Sequence, residues 1–361
     1  MSNKANTAII CLSPYYGGME MDAIRFARLL SDSVNITLIA KRGAQIDKHY
    51  GPHAQDENVT FETINFLSNF SFSIIFGIRN IVKKYAIKNI IFFGASELRS
   101  LYFSFYKQNI NLIIRHGTTK SHPKKDLLHR IIYRDVNWHI PICNHIADNV
   151  SFIIPFGEKT KMKVIYPSLR YEKCITQKPS ITNTDELKLL HISRVAKGKG
   201  HADAIIACQS LYDKNISFKF MCVGEIDPDF YRQIERTIIT KPYYTSIKFL
   251  GFKKNVEDYY QDANIFIFPS SGEGLSNSFI EALAHGLVCI SYSNTSFPEL
   301  KQLGFEFFMA EDGNIESLKS CLLGAVDYLK TRETPILHNI QLAQKLFNKA
   351  REHDELLDIL V

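Results

Sequence analysis

Two carboxylates lie eight positions apart in the stretch "SSGEGLSNSFIEALAHG". Glu273 stands in a Gly-rich loop, and Glu281 stands inside a run with helical spacing that ends at Gly286. Carboxylates accept paired hydrogen bonds from vicinal hydroxyls, and backbone amides at a helix start hold anionic or polar ligand atoms. Two carboxylates at this spacing can bind two sugars joined by a diphosphate. The spacing is explained equally well by a capping acid near a helix N-terminus and an exposed helical Glu without a ligand. The amides expected to contribute are those of Gly274, Leu275, Ser276 and Asn277.

A second stretch, "LLHISRVAKGKGHADAI", places two cations on a loop between a strand and a helix. Arg194 offers a fork of donors, Lys199 offers a mobile point charge, and glycines flank the lysine. This combination predicts a diphosphate site, and a solvated charged loop is the alternative. Gly200 follows the lysine where a Walker A loop has Ser or Thr, so ATP hydrolysis is not indicated.

Two weaker signals lie nearer the N-terminus. In "SPYYGGMEMDA", Gly17 and Gly18 separate a strand from a helix, and paired glycines allow positive φ and close approach of a ligand. A plain structural turn explains them equally well. In "LIIRHGTTKSHPKKDLLHR", His116 follows a buried strand, where a structural histidine is the alternative to a functional one.

Charged residues surround this histidine in the sequence. Arg115 and the pair Lys124 and Lys125 are interpreted as a solvated face, with contact to an anionic or lipid-linked acceptor as the functional alternative. The segments 69–88 and 121–134 combine an apolar face with a basic end. They are interpreted as core helices or as a surface facing anionic lipid.

The elements that must position these residues alternate along the chain. Short runs that are apolar on both faces, such as "TAIICLS" and "ANIFIFPS", are separated by helical patterns, which indicates parallel sheets covered on both sides. The pattern predicts an α/β protein with two doubly wound Rossmann-like domains facing across a cleft. We expect domains at 1–165 and 166–335, with an interdomain linker within 155–186. Terminal helices over 336–361 are expected to pack toward the N-terminal domain.

Composition sets the class of protein. The 361 residues are 45% hydrophobic and 22% charged, with a formal net charge of +6, which is typical of a globular protein and too weak to indicate nucleic-acid binding. No run reaches the roughly 18 apolar residues of a membrane helix. Seven scattered cysteines without CxxC spacing suit a reducing compartment. We therefore expect a cytoplasmic protein that contacts the inner membrane peripherally at most.

Together the motifs resemble the retaining GT-B glycosyltransferases of family 4, the glycosyl transferases group 1. The family's Glu, seven residues, Glu motif matches Glu273 and Glu281, and its Arg-x4-Lys-Gly loop matches Arg194, Lys199 and Gly200. The motifs occur in the order that the family has, and the resemblance covers nearly the whole chain. The stretch "CVGEIDPDF" departs from the family's short Gly-rich turn, so the resemblance does not specify the donor nucleotide.

The resemblance implies a role for each residue on the donor side. Glu281 would bind the ribose hydroxyls, while Arg194 and Lys199 would bind the diphosphate. Glu273, with the amides from Gly274 to Asn277, would bind the transferred sugar. The residues implied in catalysis are His116, Glu273, Arg194 and Lys199.

The N-terminal motifs and the reaction follow from the same resemblance. Gly17 and Gly18 would close on the phosphate, and His116 would lie near the reacting carbon. The implied reaction transfers a sugar, with retention and without an obligatory metal or other cofactor, from a UDP-sugar or GDP-sugar to a saccharide or lipid-linked saccharide acceptor. Bacterial surface polysaccharide or lipopolysaccharide synthesis is the expected setting. The alternatives are a GT-B epimerase or phosphorylase, or a non-catalytic module that binds sugar nucleotides.

Overall fold

The computed structural model consists of two compact units. The first comprises residues 1–166 and 349–361, and the second comprises residues 167–348. The residues that the structure describes are 4–15, 17–54, 57–94, 97–106, 108–170, 186–331 and 337–360. The predicted linker over 155–186 therefore lies outside the described residues between 171 and 185.

The first unit is built on a seven-stranded parallel sheet with the order β3-β2-β1-β4-β5-β6-β7. Its strands are β1 Asn6–Cys11, β2 Asn35–Lys41, β3 Val59–Ile64, β4 Asn89–Phe93, β5 Asn111–His116, β6 Trp138–Pro141 and β7 Lys161–Met162. Its helices are α1 Gly18–Leu30, α2 Gln45–His49, α3 Phe72–Lys84, α4 Leu98–Phe105, α5 Leu127–Arg134, α6 Asn144–Ile153 and α15 Lys349–Leu360, with a 3₁₀ turn at Gly51–His53. The central strands are buried along most of their length because helices cover the sheet, as the continuous apolar runs predict.

The second unit repeats this plan with six parallel strands in the order β10-β9-β8-β11-β12-β13. Its strands are β8 Leu187–Ile192, β9 Phe218–Val223, β10 Ile247–Phe249, β11 Ile265–Phe268, β12 Val288–Tyr292 and β13 Phe308–Ala310. Its helices are α7 His201–Ala207, α8 Gln209–Asp213, α9 Pro228–Ile238, α10 Glu257–Asp262, α11 Asn277–Ala284, α12 Phe297–Gln302, α13 Ile315–Thr331 and α14 Leu337–Leu346, with a 3₁₀ turn at Tyr244–Ser246. Both sheets have the Rossmann strand order, so the predicted α/β class with two doubly wound sheets is confirmed.

The C-terminal helices divide between the two units. Helix α14 belongs to the second unit, whereas α15 belongs to the first. In α15 the carboxylate of Glu352, which is fully buried, accepts a hydrogen bond from Arg25 on α1 at 2.8 Å. The side chain of Asn89 donates to the Leu360 carbonyl at 2.9 Å, and Leu356 lies in the core beneath the sheet. A buried ion pair of this kind is strongly destabilising to break, because each charge would lose its partner away from water.

Candidate functional site

The predicted phosphate loop and the Glu273 loop lie at the carboxyl edge of the second unit's sheet. The first loop joins β8 to α7, and the second joins β11 to α11. Strands β8 and β11 are neighbours, although β9 and β10 stand between them in the chain. This reversal of strand order is the position where doubly wound sheets bind ligands, in a crevice beyond the carboxyl ends of the strands.

Close backbone contacts hold these two loops together. The amide of Ser271 donates to the Gly198 carbonyl at 3.0 Å, and the Ser270 hydroxyl lies 2.9 Å from the same oxygen. Gly200 caps α7 with φ near +80°, and a Cβ at this position would lie 2.2 Å from the Pro269 carbonyl oxygen. The glycine is therefore required both by its left-handed conformation and by the approach of the neighbouring loop.

The contact between the loops brings two of the predicted residues into an ion pair. The Nζ atom of Lys199 lies 2.6 Å from Oε1 of Glu273, and the Ser270 hydroxyl lies 3.3 Å from the same oxygen. The side chains of Lys199 and Glu273 are 22% and 16% exposed. A cation and a carboxylate are thus held at one partly open point, where both can contact a ligand with phosphate and hydroxyl groups.

Arg194 begins the same loop, and its backbone surroundings are fixed. The next residue, Val195, donates to the Glu225 carbonyl at 2.8 Å and accepts from the Asp227 amide at 3.1 Å. The unusual stretch "CVGEIDPDF" therefore braces the phosphate loop, while the Asp227 side chain caps α9. The Arg194 side chain is exposed and makes no hydrogen bond or ion pair with the described part of the chain.

The start of α11 presents unused amides beside the Lys199–Glu273 pair. The Ser276 hydroxyl caps the helix by accepting from the Phe279 amide at 3.3 Å. Within the described ranges, the amides of Leu275, Ser276 and Asn277 donate to no protein acceptor, and Gly274 is buried next to them. Amides at a helix N-terminus are suited to phosphate or hydroxyl oxygens, because they combine N–H donors with the positive end of the helix dipole.

Glu281 occupies a different environment from Glu273. It lies on α11 and is only 4% exposed. One carboxylate oxygen accepts from the Tyr260 hydroxyl at 3.0 Å, and the other lies 3.8 Å from Nε of Arg170. Burial raises the pKa of the Glu281 carboxyl, and the Arg170 charge and the Tyr260 hydroxyl oppose that rise. A buried carboxylate on the inner face of a helix that lines a crevice is a feature typical of binding sites.

Gly17 and Gly18 lie in the first unit, at the carboxyl end of β1 and the start of α1. The Gly17 amide donates to the Glu20 carboxylate at 2.8 Å, and a Cβ on Gly18 would meet no atom within 4 Å. Neither glycine uses the positive φ that the lack of a side chain allows. Gly17 has the extended values φ −145° and ψ −159°, and Gly18 is already in the helix. Their contribution is access to the backbone, because no side chain stands there.

His116 ends β5 in the first unit and is buried. Its Nε2 atom hydrogen-bonds Nδ1 of His139 at 2.8 Å, and its Nδ1 atom lies 3.4 Å from Nζ of Lys120. Burial and then the charge on Lys120 hold the pKa of His116 well below its usual range. The interpretation of Arg115 as part of a solvated face is wrong, because its guanidinium is buried and paired with Asp22 at 3.2 Å.

Several residues of the sites escaped the sequence analysis. Tyr260 and Arg170 contact Glu281 from far along the chain, and Ser270 supports Glu273. A single aromatic or basic residue in a polar stretch of sequence does not indicate such a contact. His139 carried a usable signal, since it is a titratable residue inside the otherwise apolar strand "WHIP".

Within the described ranges, no three His, Cys, Asp or Glu side chains come together as a group that could hold a metal ion. That the reaction needs no metal ion stays a prediction. Among the described helices, none combines the length and apolar character needed to cross a bilayer.

The fold of the whole chain matches solved glycosyltransferases. A glycosyltransferase from Rickettsia africae superposes with a TM-score of 0.82 over 99% of this chain and 98% of that one, at 17% identity. HepE of Anabaena, crystallised with UDP, gives 0.78 over 99% of both chains at 13% identity. The fold is GT-B, an α/β architecture of two Rossmann-like units.

Sequence comparison then identifies the second unit. Residues 186–327, which lie within the second unit, match the family described as glycosyl transferases group 1. The amylovoran biosynthesis glycosyltransferase AmsK of Erwinia amylovora is 28% identical over 145 residues, which are 38% of this chain and 35% of AmsK. The alpha-monoglucosyldiacylglycerol synthase of Acholeplasma laidlawii is 32% identical over 142 residues, with the same two shares. Each alignment thus spans about a third of the relative's length.

Proposed function

We propose that this chain is a retaining glycosyltransferase that moves a sugar from a UDP-sugar or GDP-sugar to a saccharide or lipid-linked saccharide acceptor. The observation that carries the proposal is the Lys199–Glu273 pair, which joins the two predicted donor loops at 2.6 Å beside unused helix amides. Bacterial surface polysaccharide or lipopolysaccharide synthesis is the proposed setting. Relatives named for amylovoran, colanic acid and capsular polysaccharide synthesis support it. The HepE structures with UDP and UDP-glucose favour a uridine donor.

In this proposal the cations of the β8–α7 loop bind the donor diphosphate. The side chain of Arg194 is exposed at the loop's start, and Lys199 is held near its end. Negative charge develops on the diphosphate as the bond to the anomeric carbon breaks. Fixed cations and the amides of Leu275, Ser276 and Asn277 stabilise that charge without reorganising, so no metal is required for leaving-group departure.

The two glutamates serve different parts of the donor. Glu273 is partly exposed next to the amides and binds hydroxyls of the transferred sugar. Glu281 is buried and is proposed to bind the ribose. The acceptor hydroxyl attacks the anomeric carbon from the face that the diphosphate leaves, and its proton passes to a phosphate oxygen of that leaving group. The configuration is therefore retained without a protein nucleophile. The roles of Gly17, Gly18 and His116 toward the donor stay predictions.

The proposed location is the cytoplasmic face of the inner membrane. Exposed apolar side chains on and before α3, on α4 and at the start of α5 support peripheral contact, since aromatic and aliphatic groups beside basic residues favour anionic lipid. These side chains are Leu67, Phe70, Phe72, Phe76, Phe103, Leu127 and Leu128.

A thermal-shift screen tests the donor site. The purified chain is heated with UDP, GDP, ADP and CMP and their sugar conjugates, with chelator and with Mg²⁺. A ligand at a hundred times its dissociation constant stabilises the folded state by about 2.7 kcal/mol. We expect one nucleotide series to respond, without a metal requirement, and Lys199→Ala to abolish most of the shift.

The matched control is Lys197→Ala, because Lys197 is an exposed lysine on the same loop. It should keep the wild-type shift. Equal losses of the thermal shift in the two variants would show a general effect of loop charge. If no nucleotide or sugar conjugate shifts the melting temperature, the result would favour a protein that keeps the fold without binding a donor. Sugar-nucleotide conversion without an acceptor would favour the epimerase instead.

A further inference from the structure

A cluster of cations in the first unit has no anionic partner among the described residues. It lies on the segment between β5 and α5 and on α4, and consists of Lys120, Lys124 and Arg99. Lys120 is half-buried, and its Nζ atom lies 3.4 Å from Nδ1 of His116. Burial and then the neighbouring Lys124 charge lower the pKa of Lys120 to about 8, so the amine is still mostly protonated at neutral pH. Arg99 lies near enough to lower the pKa of Lys124 in turn.

Two other cations of this unit have a carboxylate partner. Arg25 is paired with Glu352, and Arg115 is paired with Asp22. In the part of the chain that the structure describes, Lys120 has a neutral histidine as its polar side-chain contact. The side chains of Lys124 and Arg99 make no hydrogen bond or ion pair there. Lys120 and Lys124 are partly withdrawn from water, whereas Arg99 is exposed. A partly buried cation without a counter-charge is unfavourable, so this cluster is suited to an anion supplied from outside.

Hydrogen bonds also fix the backbone that carries the two lysines. The side chain of Asn149 on α6 accepts from the Lys120 amide at 2.8 Å and donates to the Lys120 carbonyl at 3.1 Å. The Lys124 amide donates to the Ile153 carbonyl at 2.9 Å. With Lys120 donating to His116 Nδ1, the Nε2–H of His116 donates to His139, which fixes the direction of the hydrogen bonds. Preorganised donors bind a ligand more tightly because less freedom is lost.

Apolar side chains border these cations. Phe152 at the end of α6 is 69% exposed, and Nζ of Lys125 stands 5.2 Å from its ring centroid. Leu127 and Leu128 open α5 and are exposed as well. A ligand that joins an anionic group to an alkyl chain would match both features.

We propose that Lys120, Lys124 and Arg99 form a binding site for a phosphoryl group of the acceptor. The inference rests on the proposed function, since it assigns the acceptor's chemistry. Three cations favour the multiple oxygens and double charge of a phosphate over a single carboxylate. The phosphoryl group comes either from a membrane lipid headgroup or from a water-soluble phosphorylated acceptor.

Titration of the full chain tests this site. Inorganic phosphate is titrated by calorimetry with UDP present, and binding to phosphatidylcholine vesicles is measured with and without phosphatidic acid. Removing one charged donor to phosphate weakens binding about tenfold. We expect that loss in Lys120→Gln and in Lys124→Gln, and recovery in Lys120→Arg. Lys48→Gln is the matched control, because Lys48 is an exposed lysine on α2 of the same unit, and it should bind as the wild type does.

Binding to phosphatidic acid alone would assign a lipid headgroup, and binding of inorganic phosphate would assign a soluble acceptor. Both results support the site if the lysine variants lose them. The inference is overturned if the wild type binds neither probe, or if Lys120→Gln and Lys124→Gln bind like Lys48→Gln. The UDP thermal shift separates this from the donor site. If UDP produces no thermal shift in the wild type, the proposed function is overturned, and the result of the phosphate titration is unaffected.

Discussion

Glu281 shows how one side chain can be prepared for a ligand and still be satisfied without it. Its carboxylate is buried, and the Tyr260 hydroxyl and the more distant Arg170 guanidinium contact different oxygens. A carboxylate accepts about four hydrogen bonds, so these two contacts leave capacity for the vicinal hydroxyls of a ribose. The pKa of Glu281 is raised by burial, which makes the charge sensitive to its partners.

We predict that Glu281→Gln weakens UDP binding by about tenfold or more, because a charge-assisted hydrogen bond to the ribose is replaced by a neutral one. The test compares UDP with 2′,3′-dideoxy-UDP by calorimetry. The wild type should prefer UDP, and the variant should lose that preference. Glu316→Gln serves as the control, because Glu316 is exposed on α13 and paired only with Lys319. A variant that still distinguishes the two nucleotides would show that Glu281 does not contact the ribose.

The spacing of Glu273 and Glu281 was predictable from the sequence, but the contrast between them was not. Helical periodicity places Glu281 within α11, and the paired glycines place Glu273 in a loop. Which face of the helix is buried depends on Tyr260, which reaches Glu281 from 21 positions earlier in the chain. Local patterns do not encode such a contact, because it depends on how α10 and α11 pack.

At the scale of elements, the donor site depends on glycines that let loops touch. Gly200 lies against the Pro269 carbonyl, and Gly224, with φ near +150°, lies so close to Ser193 that a Cβ would be 1.9 Å from its carbonyl oxygen. Both contacts join the loop after β8 to the loop of a neighbouring strand. The position of Lys199 relative to Glu273 therefore follows from backbone packing as well as from the ion pair.

Gly198 and Gly200 provide a matched pair for testing this dependence. Both have φ near +80°, yet a Cβ on Gly198 would meet only the Ser271 hydroxyl at 3.6 Å. Alanine at Gly198 should therefore destabilise by about 1–2 kcal/mol, the strain of the left-handed conformation. Alanine at Gly200 should destabilise by about 1–3 kcal/mol more, because it also overlaps the backbone of Pro269. Urea unfolding of both variants measures the difference in their free energies of unfolding. Equal losses of stability would show that the two loops can move apart at no cost in stability.

The sequence predicted the elements well where patterns were local. Apolar runs such as β8 and β11 were assigned from composition, and the parallel sheets followed from their alternation with helices. The division of the C-terminal helices was not predictable, because α14 and α15 are close in sequence and both amphipathic. Their partners decide it: α15 reaches the first unit through Glu352 and Arg25, two residues more than 300 positions apart.

At the scale of the whole molecule, each unit contains a pair of buried histidines in contact. In the first unit these are His116 and His139, and in the second they are His191 and His201, whose ring centroids lie 4.0 Å apart. Burial, followed by the charge on Lys120, lowers the pKa of His139 to about 3. Burial, followed by the charge on Lys199, lowers that of His201 to about 4. Burial also holds the pKa values of His116 and His191 well below their usual range.

These shifts predict that both units lose stability in mild acid. The folded pKa of His201 lies below the unfolded value of 6.5. Between those two values, the unfolded state binds the proton and the folded state does not. The free energy of unfolding therefore falls as the pH drops from about 7 toward about 4, by about 2 kcal/mol for each such histidine at about pH 5. Calorimetry across this range should show a falling Tm, and His201→Phe should flatten the fall because it removes one titrating group from the second unit. His122→Phe is the control, since His122 is exposed, and it should keep the wild-type slope. A Tm that holds steady or rises on acidification would mean that the histidines take up protons in the folded state, and the closely packed rings of His191 and His201 would then have to separate.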